Sequence, residues 1–435
     1  MLLAPCADGE LALTTLVSFD NYTNGADPRP GLVLATNGFF YGTAAYGGKY
    51  DSGTVFKMAP DGTLTVLVTF NTTNGSGPYG GLIAGKDGNF YGTTQSGGTN
   101  NSGTIFRMNP EDALTTLLSF SGTNGRSPSA GLIQAADGTF YGTTDSGGDY
   151  DCGTVYRMTA GGDLATLISF SRTNGQNPMS ELAQADDGNF YGTTRLGGDA
   201  NYGTVFRMTA QGTLTTLVSF YYTNGCWPVG GLVQGRNGSL YGTTCGFLGG
   251  NDGTTFQMTT NGLLTTLVSL NGMNGSYPLT RLLEVADGSF FGTTPGGGLY
   301  NAGTIFQMWP NGMFRTVYSF NRTTDGGRPH AALIQGNDGH LYGMTSGGGA
   351  YNWGTIYRLA VDLPPVFQSI AQVEGVLELT WSTVAGRSYQ LYYKTNLTQS
   401  GWFNLGGVST ATNTTLRASD LCGPDRQRFY RVVTE

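Results

Sequence analysis

Few side chains in this sequence have the type and spacing that chemistry needs. There are two histidines, His330 and His340. His330 falls in a loop that leads into a repeated unit and His340 in a hairpin turn inside one, so they are not expected to share a site. No GxSxG, HExxH, phosphate-binding loop or strand-then-helix GxGxxG occurs, so nucleophilic serine chemistry, zinc hydrolysis and dinucleotide binding have no motif to rest on. Paired carboxylates are the remaining route to catalysis. Glycoside hydrolysis uses two of them about 5–10 Å apart. Asp87, Asp137, Asp187 and Asp287 recur at one turn position and read as turn residues. Glu181 and Glu284 depart from the repeated pattern, as does Arg281: Glu181 and Arg281 replace a repeated glycine, and Glu284 replaces the glutamine of Gln134, Gln184, Gln234 and Gln335. A polysaccharide-degrading enzyme with Glu181 and Glu284 at a channel mouth is therefore kept as an alternative, while a solvated or ion-paired role is the simpler reading.

Binding leaves a broader trace. The five cysteines are Cys6, Cys152, Cys226, Cys245 and Cys422, with no CxxC among them, so no zinc site is expected. Cys226 and Cys245 fall in two loops of one unit, where a disulfide is open to them if their Cα atoms come within about 7 Å. Loops with Gly-Gly followed by Asp or Asn offer oxygens that calcium could take, but turn formation explains the same residues, so no cofactor is expected. Aromatic residues crowd two classes of loop, which a strand core does not require. They are densest around the fifth unit, at Tyr202, Tyr221, Tyr222, Trp227 and Phe247, with Arg281 nearby. These six are the candidate ligand-binding residues.

The elements that must position them repeat. Phe-Tyr-Gly-Thr stands at Phe40–Thr43, Phe90–Thr93, Phe140–Thr143 and Phe190–Thr193, with variants at Leu240, Phe290 and Leu341. Gly-Thr begins at Gly53 and again every 50 residues to Gly303, then at Gly354, and a loop proline follows the same rhythm from Pro28 to Pro329. A fixed period of this size predicts a propeller, solenoid or array. In the third copy four strands are expected, at 131–135, 139–144, 153–158 and 164–170, with Asp137-Gly138 as a hairpin signal. The strands carry apolar residues on both faces, so each sheet must be covered on both sides, as radial packing of blades does. Gly142, mid-strand, is expected to allow close approach of the next blade.

The ends imply closure. Leu11–Phe19 reads as a fourth strand with no unit before it, and the seventh unit stops after its third. The orphan strand is expected to complete the seventh sheet, leaving only short protected edges. Residues 11–361 are thus an all-β, seven-bladed propeller of four-stranded blades. Residues 1–10 read as a remnant of uncertain role, without the basic and apolar regions of a complete signal peptide. Residues 364–435 read as a fibronectin type III-like sandwich.

The unit GLxxxxDGxFYGTTxxGGxxxxGTxFRMxxxGxLTTLxSF resembles the GloVer tandem repeat of bacterial secreted and surface proteins, over about residues 11–360. The resemblance implies a propeller-like, exported protein and supplies no catalytic residues. Net charge is −7, with no basic run, which argues against nucleic acid and anionic membrane partners. No apolar run is long enough to span a bilayer. The expectation is an extracellular or cell-surface monomer that binds a glycan or a surface partner without catalysis, through the aromatic loops near the fifth unit. A purely structural surface protein is the further alternative.

Overall fold

The computed structural model describes residues 11–109, 111, 113–246, 252–361, 363, 365–373, 376–384, 386–396, 398–399, 401–413, 415–421 and 428–435. Among them there is no helix. The chain divides into two compact units: Met1–Glu284, Phe290–Ile334 and Tyr342–Arg358 form the first, and Val285–Ser289, Gln335–Leu341 and Leu359–Glu435 the second.

Seven four-stranded sheets follow one another through the repeats, a propeller-like architecture. In the third repeat the strands are Ile133–Gln134, Phe140–Thr144, Thr154–Met158 and Leu164–Ser169, paired antiparallel in that order. The first strand is shorter than its sequence suggests. The backbone just before it is engaged elsewhere: the Thr93 hydroxyl of the second repeat donates to the Ala130 carbonyl of the third, as Thr143 does to Ser180 of the fourth, while Thr43 donates to the Pro78 carbonyl two positions earlier in the loop. A bulge between Val155 and Tyr156 breaks the alternation of the fourth strand, which lets its leucines and Ile168 serve both faces. The last repeat contributes Ile334–Gln335, Leu341–Thr345 and Thr355–Leu359, and its fourth strand is Leu13–Ser18 from the other end of the chain.

The three sequence markers are contacts between repeats. The tyrosine of one Phe-Tyr pair packs on the phenylalanine of the next: Tyr41 on Phe90 at 4.1 Å, Tyr91 on Phe140 at 4.3 Å, Tyr141 on Phe190 at 4.2 Å. Each Gly-Thr glycine lies under the loop proline of the following repeat, so that a Cβ on Gly53 would meet Pro78 Cδ at 2.5 Å. Each apolar cluster accordingly joins neighbouring repeats, such as Ile168 and Phe170 of the third with Phe190 and Phe206 of the fourth. Gly142 differs from expectation. The space above it is filled from its own sheet: a Cβ there would stand 2.6 Å from Cζ of Tyr156, its cross-strand partner, and 2.9 Å from Leu132. The glycine seats an aromatic ring rather than admitting a neighbouring blade.

The remaining strands form a three-stranded sheet of Phe367–Val373, Val376–Ser382 and Thr415–Leu421, and a second sheet in which Ser388–Lys394 pairs with Phe403–Asn404, Ser409–Thr410 and Phe429–Thr434. Leu379, Trp381 and Leu391 are buried between their strands. Cys6, Phe247 and Cys422 lie outside the described residues.

Candidate functional site

Two loops of each repeat meet. The connecting loop runs from the fourth strand of one repeat to the first strand of the next. The middle loop joins second and third strands. They pair by an antiparallel bridge: Ala26 with Tyr46, Ser76 with Ser96, Arg126 with Ser146, Gln176 with Leu196, Ser276 with Gly296 and Gly327 with Gly347. One residue further, the connecting loop is stitched to the preceding repeat. The backbone N–H of Gly77, Ser127, Asn177, Trp227, Tyr277 and Arg328 donates to a carbonyl of the previous middle loop, over 2.7–3.0 Å.

That stitch turns the backbone into the left-handed region. Asp27, Gly77, Ser127, Asn177, Trp227, Tyr277 and Arg328 all have φ between 54° and 66°. Gly, Asn and Asp tolerate this conformation, and a bulky side chain there is an outlier. Trp227 and Tyr277 are the bulky cases that sit side by side in sequence order of repeats, at φ 56° and 60°.

Between them lies a hollow of about 310 Å³, lined by Met179, Arg195, Trp227, Val229, Cys245, Gly246, Tyr277 and Leu279. Three successive connecting loops supply Met179, Val229 and Leu279 at one repeat position, where other repeats carry Arg29, Tyr79, Ser129 and His330. The Arg195 guanidinium stands 5.3 Å over the Trp227 ring, leaving a cationic rim on an apolar floor. The arrangement can hold a flat or apolar surface and orient one polar or anionic group; it presents no nucleophile. Burial pushes the Cys245 thiol up to about 12 and raises that of Cys226 as well, which keeps both protonated and unreactive.

The structure gathers only some of the residues expected from sequence. Trp227 and Cys245 line the hollow. Tyr202 is half-buried against the fifth sheet and gives its carbonyl to the Trp227 N–H. Tyr221 and Tyr222 are exposed outside the hollow, the first donating its hydroxyl to Asp199 at 3.1 Å, the second 6.4 Å from the Tyr202 ring. The disulfide left open between Cys226 and Cys245 is not formed: both are free thiols. The loop register explains it, since Cys226 faces Gly246 (whose N–H it accepts) while Cys245 donates its N–H to Trp227.

Arg281 does not line the hollow either. Its Nε lies 3.1 Å from Glu181 Oε1, an ion pair reaching over Gly231 of the repeat between them. Gly231 makes room for it, as a Cβ there would meet Glu181 Cγ at 3.2 Å. Glu284 has a different partner. Its Oε1 accepts the Arg236 backbone N–H at 3.1 Å, as Gln134 accepts from Lys86 and Gln234 from Asp186. Glu284 thus does the work of the glutamine it replaces, tying its repeat to the one before, and the two acids face separate partners. Among the described residues no group of three His, Cys, Asp or Glu side chains is arranged to hold a metal ion, and no helix is long and apolar enough to cross a membrane.

Met179, Arg195, Val229, Tyr277 and Leu279 were not among the six candidates. Tyr277 lies, like Trp227, in a connecting loop one residue before the loop proline. The apolar three are legible only when the position after the loop proline is compared across repeats.

No curated protein matches the chain. Among solved structures, puromycin hydrolase is similar with a TM-score of 0.51 at 12% identity, over 82% of this chain and 59% of that one. A putative 6-phosphogluconolactonase from Bacteroides uniformis ATCC 8492 gives 0.48 at 12% identity, over 85% and 95% of the two chains. A gluconolactonase from Xanthomonas campestris gives 0.42 at 16% identity, over 67% and 88%. At 12% identity the likeness to puromycin hydrolase is one of fold. The model of the Gloeobacter/Verrucomicrobia repeat matches residues 6–135, 111–284 and 237–407. With its repeats matched along nearly its whole length, the chain belongs to the Gloeobacter/Verrucomicrobia repeat family.

Proposed function

We propose that this is a non-catalytic extracellular binding protein, a seven-bladed propeller closed by its N-terminal strand and followed by a fibronectin type III-like module, which holds a glycan or a surface partner at the hollow around Trp227. The observation that carries the reading is the choice of two successive aromatics, Trp227 and Tyr277, at left-handed backbone positions where aspartate, glycine, serine, asparagine and arginine serve the other repeats. An aromatic there costs about 1–2 kcal/mol of backbone strain and adds nothing to the stitch, which uses only the N–H. Aromatic faces beside an apolar floor and a cationic rim suit a sugar ring or the anchor side chain of a partner.

Ring closure is supported by the junction of the last repeat with the first. Tyr342 packs on Phe40 at 4.3 Å, Pro28 covers Gly354, and the Asp27 N–H donates to the Trp353 carbonyl at 2.9 Å, so all three contacts recur there. Export agrees with the family resemblance and the acidic, lysine-poor composition.

The test is a panel of soluble and insoluble glycans, scored for retention of the protein and for new reducing ends. Retention that Trp227→Asn abolishes, with no reducing ends, is the expected outcome. Cleavage of any glycan would replace this reading with an enzymatic one, and retention unchanged in Trp227→Asn would move the site elsewhere.

A further inference from the structure

A second hollow of about 310 Å³ lies where the last repeat meets the first, and its chemistry is opposite to that around Trp227. Arg29, Arg322 and Arg328 line it, together with Asp27, Tyr46 and Trp353. Arg29 is satisfied: its Nε reaches both Asp27 carboxylate oxygens at 2.9 Å. Arg322 has only the Asn352 amide oxygen, at 3.3 Å, and among the described residues neither Arg322 nor Arg328 is paired with an acid. The hollow thus holds an excess of two positive charges in a chain whose net charge is −7.

Arg328 is a departure from the repeat, since its position is Gly77, Ser127 or Asn177 elsewhere. The position of Arg322 varies, with Thr72, Gly122, Tyr222 and Gly272 in other repeats and a second arginine at Arg172, so it is the pairing of Arg322 with Arg328 that is particular to this hollow. Arg328 also sits at φ 58°, so its side chain is carried at the same backbone cost as Trp227. Like charges gathered without counter-ions repel, and a guanidinium fork left open matches a carboxylate or sulfate group. Beside the forks stand two half-exposed aromatic rings, Tyr46 and Trp353, each 45% accessible. A flat apolar face next to an anion-binding fork is the recognition set for a charged sugar ring, and the volume is at the lower end of small-ligand sites.

We propose that the hollow between the last and first repeats is a binding site for an anionic sugar residue of a polysaccharide, its carboxylate or sulfate taken by Arg322 and Arg328 and its ring by Trp353 or Tyr46. The site shares no residue with the hollow around Trp227, so either can exist without the other.

The test is calorimetric titration of the full chain with a uronate oligomer, a sulfated galactan oligomer, a neutral galactan oligomer and polyglutamate, at low and high salt. The expected result is binding of the uronate, the sulfated sugar or both at least roughly tenfold tighter than the neutral oligomer, weakened by salt. Whichever of the two binds better identifies the anion. Arg322→Thr with Arg328→Gly, residue types borrowed from the equivalent positions, should abolish that preference without lowering the melting temperature. An independent readout is His330, whose electrostatic neighbours are Arg29 and Arg328. An anion held by Arg328 and Arg322 offsets the Arg328 charge and raises its pKa, which NMR reads readily in a chain with two histidines. Equal affinity for neutral and anionic oligomers, absence of binding to all of them, polyglutamate binding as tightly as the sugars, or an unchanged preference in the double variant each overturns the proposal. None of these outcomes touches the reading at Trp227, which Trp227→Asn tests on its own.

Discussion

Trp227 and Tyr277 hold a conformation chosen by the backbone, and this separates their two conceivable roles. If their rings serve packing, replacing them destabilises the protein. If they serve a ligand, replacing them by a residue suited to positive φ relieves strain. We expect Trp227→Asn to leave stability unchanged or raise it by about 1 kcal/mol, measured by urea denaturation, while glycan retention falls. At Glu284 the expectation runs the other way. Glu284→Gln should melt like the parent, since glutamine accepts the same N–H in other repeats, whereas Glu284→Ala should cost about 1 kcal/mol by leaving the Arg236 N–H without its acceptor.

His330 supplies a pH dependence. Burial first, then Arg29 and Arg328, hold its pKa down at about 4, against 6.5 for the free side chain. Between those values the unfolded chain binds a proton that the folded chain refuses, so the contribution of this residue to stability falls as pH drops from 6.5 to about 4 and is level outside that window. His330→Leu, which places there the leucine of the sixth repeat, should flatten that part of the stability profile, read as denaturation midpoints across the window.

Within one repeat, the elements were largely legible because their markers are packing constraints. Phe-Tyr, Gly-Thr and the loop proline recur since each touches the next repeat, and a contact made identically must be built from identical residues. What could not be read was which atoms filled a gap. Gly142 announces close approach, but the ring lying over it, that of Tyr156, comes from its own sheet and is not marked in the sequence. Gly142→Ala should therefore cost about 1–3 kcal/mol in denaturant unfolding by forcing that ring aside. The site was half legible for a related reason. Trp227 and Cys245 stand out as departures from a pattern, whereas Met179, Val229 and Leu279 resemble any core residue. The left-handed backbone beneath Trp227 is hidden, because Ser127 and Asn177 at the same position suggest an ordinary turn.

Across the whole molecule, the chain's first described strand is also its last sheet's outer strand, and stability is expected to depend on both ends together. Deleting residues 11–19 removes the partner of Thr355–Leu359 and the Phe19 side chain, which is fully buried among Phe40, Phe56 and Ile356. The truncated chain should melt well below the full chain in calorimetry; equal melting would refute closure by this strand.

The backbone stitch between successive repeats has one more consequence. Its hydrogen bond uses only main-chain atoms, so the seven residues that make it are free in their side chains while fixed in their placement. The fold in effect carries seven sockets of constant geometry. Aspartate, glycine, serine, asparagine, tryptophan, tyrosine and arginine occupy them in turn. Mutation can rewrite what the surface recognises, one socket at a time, without renegotiating the architecture that holds the sockets in place.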